Sequence, residues 1–165
     1  MAEAHDRLGF VLGQQGHTEE AIAEFERAVS LQPALFDAQY PGRAAKPGSV
    51  TTPDEMSAPH GVFLVGYEDG HAVAIGGLRA LGDGVCEIKR MYVVPHARSR
   101  GVGRALLVAL EDAGRRRGYH TVRLDAGEEQ RHSRVLFANA GYREIAKYNT
   151  NHIAVYFGEK DLSGS

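Results

Sequence analysis

The chain has 165 residues, with 19 Lys and Arg against 21 Asp and Glu, 43% apolar and 24% charged residues. That balance fits one globular domain, or one domain with an appendage, and lies outside the low-hydrophobicity regime of disorder and the basic footprint of a nucleic-acid binder. A single cysteine, Cys86, excludes an internal disulfide and a thiolate zinc cage, and the eight histidines show no metal-ligand spacing. Acidic residues near Met1 and the lack of a long apolar run predict no signal peptide and no membrane span, hence a cytoplasmic protein.

Residues 3–31 carry two amphipathic helical patterns separated by Gly16, the first with Leu8 and Leu12, the second with Ala21, Ile22, Phe25, Ala28 and Val29. Thr18 is placed to cap the second, with Glu19 and Glu20 at its positive end, and Pro33 stops it. Leu8-Gly9, Leu12, Gly16, Ala21, Phe25, Ala28 and Pro33 together resemble one tetratricopeptide repeat. A single repeat cannot bury its own apolar face, so this hairpin is expected to lean on the following domain or on a second copy of the chain. Domain boundaries follow: a helical hairpin over residues 1–34, then a second unit over residues 35–165.

Pro41, Pro47, Pro53 and Pro59 mark a connecting stretch, within which Thr52, Pro53 and Glu55 signal a short helix start. Residues 62–67 and 72–75 then read as a hairpin about the turn at Glu68, Asp69, Gly70 and His71. After a second turn at Gly82, Asp83 and Gly84, residues 85–94 form a long alternating strand halted by Pro95. Arg98, Ser99, Arg100, Gly101, Val102, Gly103 and Arg104 lead into a helix whose apolar face holds Val102, Leu106, Ala109, Leu110 and Ala113 and which ends at Gly118. A glycine loop between a strand and a helix start is an anion cradle, because unpaired N–H groups and the helix dipole converge where no Cβ intrudes. The loop lacks the third glycine of a dinucleotide fingerprint and the Gly-Lys-Ser/Thr of a P-loop.

Arg-x-x-Gly-x-Gly after a strand ending Val-Val-Pro resembles the acyl-CoA pyrophosphate motif of the GNAT superfamily of N-acetyltransferases. The likeness continues through Thr121 to Asp125 as the next, parallel strand, through Leu136, Phe137, Gly141 and Tyr142 as the closing helix and turn, and through Val155 to Leu162 as the last strand. It covers residues 58–162. It implies an α/β (α+β) fold with a mixed, mainly antiparallel sheet flanked by helices, here preceded by the helical hairpin, which stands where the family's first strand is expected, so that in residues 35–165 this strand is absent or replaced. It also implies acetyl-CoA as cosubstrate, no metal, and direct acetyl transfer to a primary amine of a small molecule or peptide. In that family the backbone at the end of the central strand holds the thioester, which assigns Met91, Tyr92 and Val93 to the pantetheine arm. Arg98, Ser99, Arg100, Gly101, Val102, Gly103 and Arg104 go to the pyrophosphate.

An ammonium acceptor must lose a proton, and Glu87 is the candidate base, with Lys89, Met91 and Val93 expected as its alternation partners. Its structural alternative is a strand carboxylate paired with Lys89 or Arg90. Many family members carry a tyrosine in the closing helix that protonates the leaving thiolate. Phe137 stands there in this chain, which leaves Tyr92 and Tyr148 as candidate acids. Cys86, on the opposite side of the strand from Glu87, reads as a small buried residue rather than a nucleophile. Partners are then an amine acceptor, neither nucleic acid nor membrane, and a homodimer through the hairpin or the last strand is compatible with the pattern. A competing reading from another class is a protein that binds CoA without turnover and recruits a partner through the hairpin.

Overall fold

The computed structural model of the protein describes residues 8–12, 51, 54–128 and 130–164. Their strands form a seven-stranded mixed sheet. Strands β1 (Leu8–Leu12), β2 (Val62–Glu68), β3 (His71–Gly82) and β4 (Val85–Val93) lie side by side, each antiparallel to the last. Helix α1 (Val102–Arg116) then crosses over to β5 (Thr121–Gly127), which runs parallel to β4. Helix α2 (Arg131–Asn139) leads to a two-residue strand β6 (Arg143–Glu144) and to β7 (Ala154–Asp161), which inserts between β5 and β6.

The antiparallel meander and the parallel crossover are those expected from the sequence. The first element is not. Leu8–Leu12, expected in the first helix of the hairpin, is extended and pairs with β2 from Leu8 opposite Glu68 to Leu12 opposite Leu64. These five residues include Gly9, a poor helix former, and Phe10 and Val11, which suit a pleated surface. The open edge of β2 supplies backbone partners that an isolated helical turn cannot offer. A short strand thus lies on the edge of β2, where the first strand is expected to be absent or replaced. The remainder of the expected hairpin, including the second helix and the stretch up to residue 50, lies outside the described residues.

Two further differences concern β3 and the segment before β2. Asp54–Met56 is a single turn of 3-10 helix, and Thr52 and Pro53 lie outside the described residues. β3 runs seven residues beyond the Ile75 at which the expected strand stops. It passes through Gly76 and Gly77 because elements on both faces approach too closely for side chains. A Cβ on Gly76 would stand 2.8 Å from Leu110 of α1, and one on Gly77 would collide with Met56. Glycine here permits close packing rather than a turn.

The core lies between the sheet and the two helices: Cys86 and Ile88 of β4, Val122, Leu124 and Ala126 of β5, and Leu106, Leu107 and Leu110 of α1 are at most 4% exposed. Phe137 of α2 closes the same cluster, with its ring 5.9 Å from Tyr142 and 6.3 Å from Tyr156. Burying a large aliphatic side chain contributes about 1.5–3 kcal/mol, so this cluster fixes where β4 ends and α1 begins. On the side of α1 the core also holds Glu111, which accepts Tyr142 Oη at 3.0 Å and Lys160 Nζ at 2.8 Å.

Candidate active site

Gly101 caps α1 with φ of 83°, a left-handed conformation that costs a residue with a Cβ about 1–2 kcal/mol. Gly101 has no side chain with which to cap the helix, and among the described residues no side chain accepts from the first-turn N–H groups, which carry the positive end of the dipole. A Cβ built on Gly103 would meet Leu136 of α2 at 3.6 Å and Val93 of β4 at 3.8 Å, with no closer neighbour. The start of α1, the end of β4 and α2 thus enclose an open cradle of backbone donors walled by apolar side chains. This fits a phosphate-bearing chain with an apolar arm.

The arginines of the loop divide. Arg98 donates from Nε to the Val93 carbonyl at 2.9 Å and lies 5.6 Å above the Tyr92 ring. Arg100 forks onto Glu68 of β2 at 3.0 and 2.8 Å, so its charge is already matched. Arg104 borders an open groove of about 580 Å³ with Gly101, Ala105, Val108, Ala109 and Asp112, which runs along α1. Ser99 holds φ of 59°.

β4 changes face at Arg90, whose φ is 59°, opposite a register shift between Ile75 and Gly77 of β3. Before this bulge the core side holds Cys86 and Ile88; after it, Met91 and Val93 pack against the same core. The expected alternation of Glu87 with Met91 and Val93 is therefore broken, because one extra residue flips the side chains that follow. Of its expected partners Glu87 keeps Lys89 on its own face, where alternation past the bulge also brings Tyr92, while Met91 and Val93 join the cradle side.

Pairing between β4 and β5 runs only from Val85 opposite Thr121 to Glu87 opposite Arg123, after which the strands part. A polar cluster occupies this fork on the face away from the apolar core. Glu87, fully buried, accepts Tyr148 Oη at 2.7 Å, Asn149 Nδ2 at 3.0 Å and Lys89 Nζ at 3.1 Å on Oε1, and Arg79 Nε at 2.7 Å on Oε2. Lys89 reaches across the fork to Asp125 Oδ2 at 2.7 Å, where Asn149 and Asn151 also donate, at 2.6 and 3.3 Å. Arg79 also pairs with Glu55 at 2.8 Å.

Tyr148 rests edge-on to Phe157, with ring centroids 5.7 Å apart, and under the Arg123 guanidinium at 5.2 Å. Burial, and then the negative charge of Glu87, hold its hydroxyl far above the usual tyrosine range, so it stays protonated. Glu87 and Tyr148, chosen separately from the sequence, thus share a hydrogen bond. Among the described residues no hydrogen bond or ring contact joins Tyr92 to this pair; its ring lies beneath Arg98. Sequence reasoning missed Arg79, Asp125, Asn149 and Asn151; Asp125 ends the expected parallel strand and was legible as a carboxylate there, whereas the asparagines gave no signal outside their loop. Burial pushes the Cys86 thiol up to about 12, which fits a packing residue. Among the described residues no His, Cys, Asp and Glu cluster could hold a metal ion, and no helix is long and apolar enough to cross a membrane.

Among the described residues, a mixed sheet whose parallel pair β4–β5 opens beside a glycine-lined helix N-terminus is an arrangement suited to a phosphate-bearing ligand. Residues 28–142 match the model of the acetyltransferase (GNAT) family, and residues 2–35 match that of the tetratricopeptide repeat. The chain belongs to the GNAT acetyltransferase family. It is 31% identical over 98 residues to an uncharacterized N-acetyltransferase of Schizosaccharomyces pombe, covering 58% of this chain and 60% of that protein. It spans about 60% of the length of the curated relatives that it matches. Its fold is similar to a GNAT-family acetyltransferase from Staphylococcus aureus, with a TM-score of 0.69, 17% identity, and 94% and 99% of the two chains covered. It is also similar to the PaiA N-acetyltransferase of Thermoplasma acidophilum solved with coenzyme A, with a TM-score of 0.54, 19% identity, and 62% and 61% covered.

Proposed function

We propose that the protein transfers the acetyl group of acetyl-CoA directly to a primary amine of a small molecule or peptide. Acetyl-CoA supplies a carbonyl already activated as a thioester. The chain must then hold that carbonyl, receive the proton that the amine gives up and return one to the departing sulfur. The backbone amides of Gly101, Val102 and Gly103 hold the pyrophosphate, while Met91, Val93 and Leu136 wall the pantetheine arm.

The observation that carries the reading is the 2.7 Å bond from Tyr148 Oη to Glu87 Oε1 at the fork of β4 and β5. Glu87 Oε1 takes the proton released as the C–N bond forms and passes it to Tyr148 Oη, as that hydroxyl gives its own proton to the sulfur freed when the C–S bond breaks. From the neutral amine the proton count balances and neither residue ends the cycle changed; an acceptor that arrives as ammonium first gives its extra proton to solvent. Arg79 and Lys89 neutralise the Glu87 charge at rest. Tyr92 alternates with Met91 and Val93, so its side chain lies on the face of β4 away from the arm, beneath Arg98, and neither the arm nor the acid is assigned to it.

Calorimetric titration with acetyl-CoA, with ATP and NAD as controls, tests the cradle, and thiol release from acetyl-CoA across a panel of primary amines tests the transfer. Binding selective for acetyl-CoA, followed by amine-dependent thiol release, is the expected result. Binding without release would favour the competing reading, a CoA-binding protein that docks a partner through its tetratricopeptide-like segment; no binding would overturn both.

A further inference from the structure

We infer that Asn149 is a positioning residue for the proton-carrying pair, locking the β6–β7 loop onto both diverging strands and holding Glu87 against Tyr148. The inference rests on the acetyltransferase reading above and names a part of the site that this reading did not require. Asn149 sits where the two strands have separated, and its Nδ2 donates to Glu87 Oε1 of β4 at 3.0 Å and to Asp125 Oδ2 of β5 at 2.6 Å. A primary amide has two N–H bonds on one nitrogen, so a single uncharged group satisfies a carboxylate on each strand.

The orientation of the amide is determined by its surroundings. Its Oδ1 accepts the Asn151 N–H at 3.1 Å, and the reverse placement would set an oxygen against two carboxylates and an NH₂ against a donor. Asn151 repeats the pattern: its Oδ1 accepts the Ile153 N–H at 3.2 Å, and its Nδ2 donates to Asp125 at 3.3 Å. Two overlapping Asx turns therefore shape residues 149–153, and Tyr148, immediately before them, takes its place from this rigid loop. Tyr148 Oη and Asn149 Nδ2 end on the same oxygen of Glu87.

Charge explains why the bridge is an amide. The groups facing it are Glu87 and Lys89 of β4, Asp125 and Arg123 of β5, and Arg79 of β3, itself paired with Glu55. A carboxylate at position 149 would put a third negative charge within about 3 Å of two others, a spacing at which like charges strongly oppose ionisation. A cation there would compete with Tyr148 for Glu87.

The test compares the parent with Asn149→Ala and Asn149→Asp in the full chain, using acetyl-CoA with a panel of polyamines, arylethylamines and peptide N-termini. Asn149→Ala should lower kcat about 10- to 100-fold, the range that a misplacement near 1 Å produces, while KM for acetyl-CoA stays within about twofold. Asn149→Asp should move the acidic limb of the kcat profile to higher pH, a change that loss of scaffold alone would not cause. A crystal structure of either variant should show Tyr148 Oη more than 3.5 Å from Glu87. The inference is overturned by unchanged kcat, by kcat, KM and melting temperature moving together with no change in pH profile, or by a variant structure that keeps the 2.7 Å contact. If the parent binds acetyl-CoA yet acetylates nothing in the panel, the catalytic reading fails, and the Tyr148–Glu87 separation in the variant crystals still decides whether Asn149 positions the pair.

Discussion

Replacing Glu87 with glutamine tests the buried cluster and the proposed chemistry in one variant. The side chain keeps its shape, but one carboxylate oxygen becomes an NH₂. If the amide oxygen stays at the Oε1 position it still accepts Tyr148, Asn149 and Lys89, and its nitrogen then faces Arg79 Nε, donor against donor, at a site where they now bond at 2.7 Å. The opposite placement is worse, since three donors would meet the NH₂. The variant therefore forfeits one charge-assisted bond, worth about 1.5–3 kcal/mol, and the charge opposite two cations. Removing one partner of a buried pair usually costs about 3–5 kcal/mol, but Arg79 keeps Glu55 and Lys89 keeps Asp125. A loss of about 2–4 kcal/mol follows. Equilibrium urea denaturation should show it as a lower midpoint with an unchanged slope. In parallel, thiol release should fall while acetyl-CoA affinity stays close to that of the parent. A loss below about 0.5 kcal/mol, the range of ordinary surface changes, would refute the buried network; an acetylation rate equal to the parent's would remove Glu87 from the mechanism.

Gly103→Ala should leave the fold intact or slightly firmer, because its Cβ meets nothing closer than 3.6 Å and alanine favours a helix by about 1 kcal/mol; the methyl enters the cradle, so calorimetry should show at least about tenfold weaker acetyl-CoA binding, and undiminished binding would displace the pyrophosphate from this loop. Deleting residues 1–12 strips β1 from β2 and bares the N–H and C=O groups of an edge strand, so light scattering should report concentration-dependent association; a monodisperse truncation would show that β1 does not protect that edge. The Cys86 thiol, raised from 9.0 to about 12 by burial, should resist Ellman's reagent in the native protein at neutral pH and react once unfolded; native-state reactivity would contradict its burial. Because the folded thiol holds its proton where the unfolded one has lost it, this group's stabilising contribution is complete below pH 9 and declines by about 1.4 kcal/mol per pH unit as pH rises toward 12; alkaline denaturation of Cys86→Ala should lack that component.

What could be read from the sequence was local. Gly101 and Gly103 before an apolar helical stripe marked the cradle and Pro95 ended β4, since each signal lies within a few residues of the element that it sets, whereas the parallel direction of Thr121 to Asp125 came from the family resemblance. What escaped depended on contacts between distant segments. The bulge at Arg90 follows from the register with β3, where Gly76 and Gly77 are pressed between Leu110 and Met56, and no alternation within β4 reveals it. Asn149 meets Glu87 across 62 positions of chain, and Tyr148 across 61. Glu87 was legible as a carboxylate on the right strand, yet whether it faced solvent or four donors was decided by those remote groups. Leu8–Leu12 shows the same limit from the other direction: its spacing satisfies a helical repeat, and the adjoining edge of β2 selects the extended form.

On the proposed transfer, the bulge lets one strand serve two ligands. With unbroken alternation, Met91 and Val93 would share the face of Glu87, and the apolar wall of the cradle would point into the charged cluster. The extra residue at Arg90 turns them to the side of α1 and α2, leaving Glu87 and Lys89 on the other. The thioester arm can then reach β4 from the helix side and the amine from the polar side, and the two meet where β4 and β5 have no backbone bonds to each other. On this reading the fork is the passage between the two faces, and the Asn149 bridge, together with the Lys89–Asp125 pair, sets its width. Substitutions that shift the bulge should therefore impair transfer more than they impair binding of either substrate, because each half-site would survive while their meeting point moved.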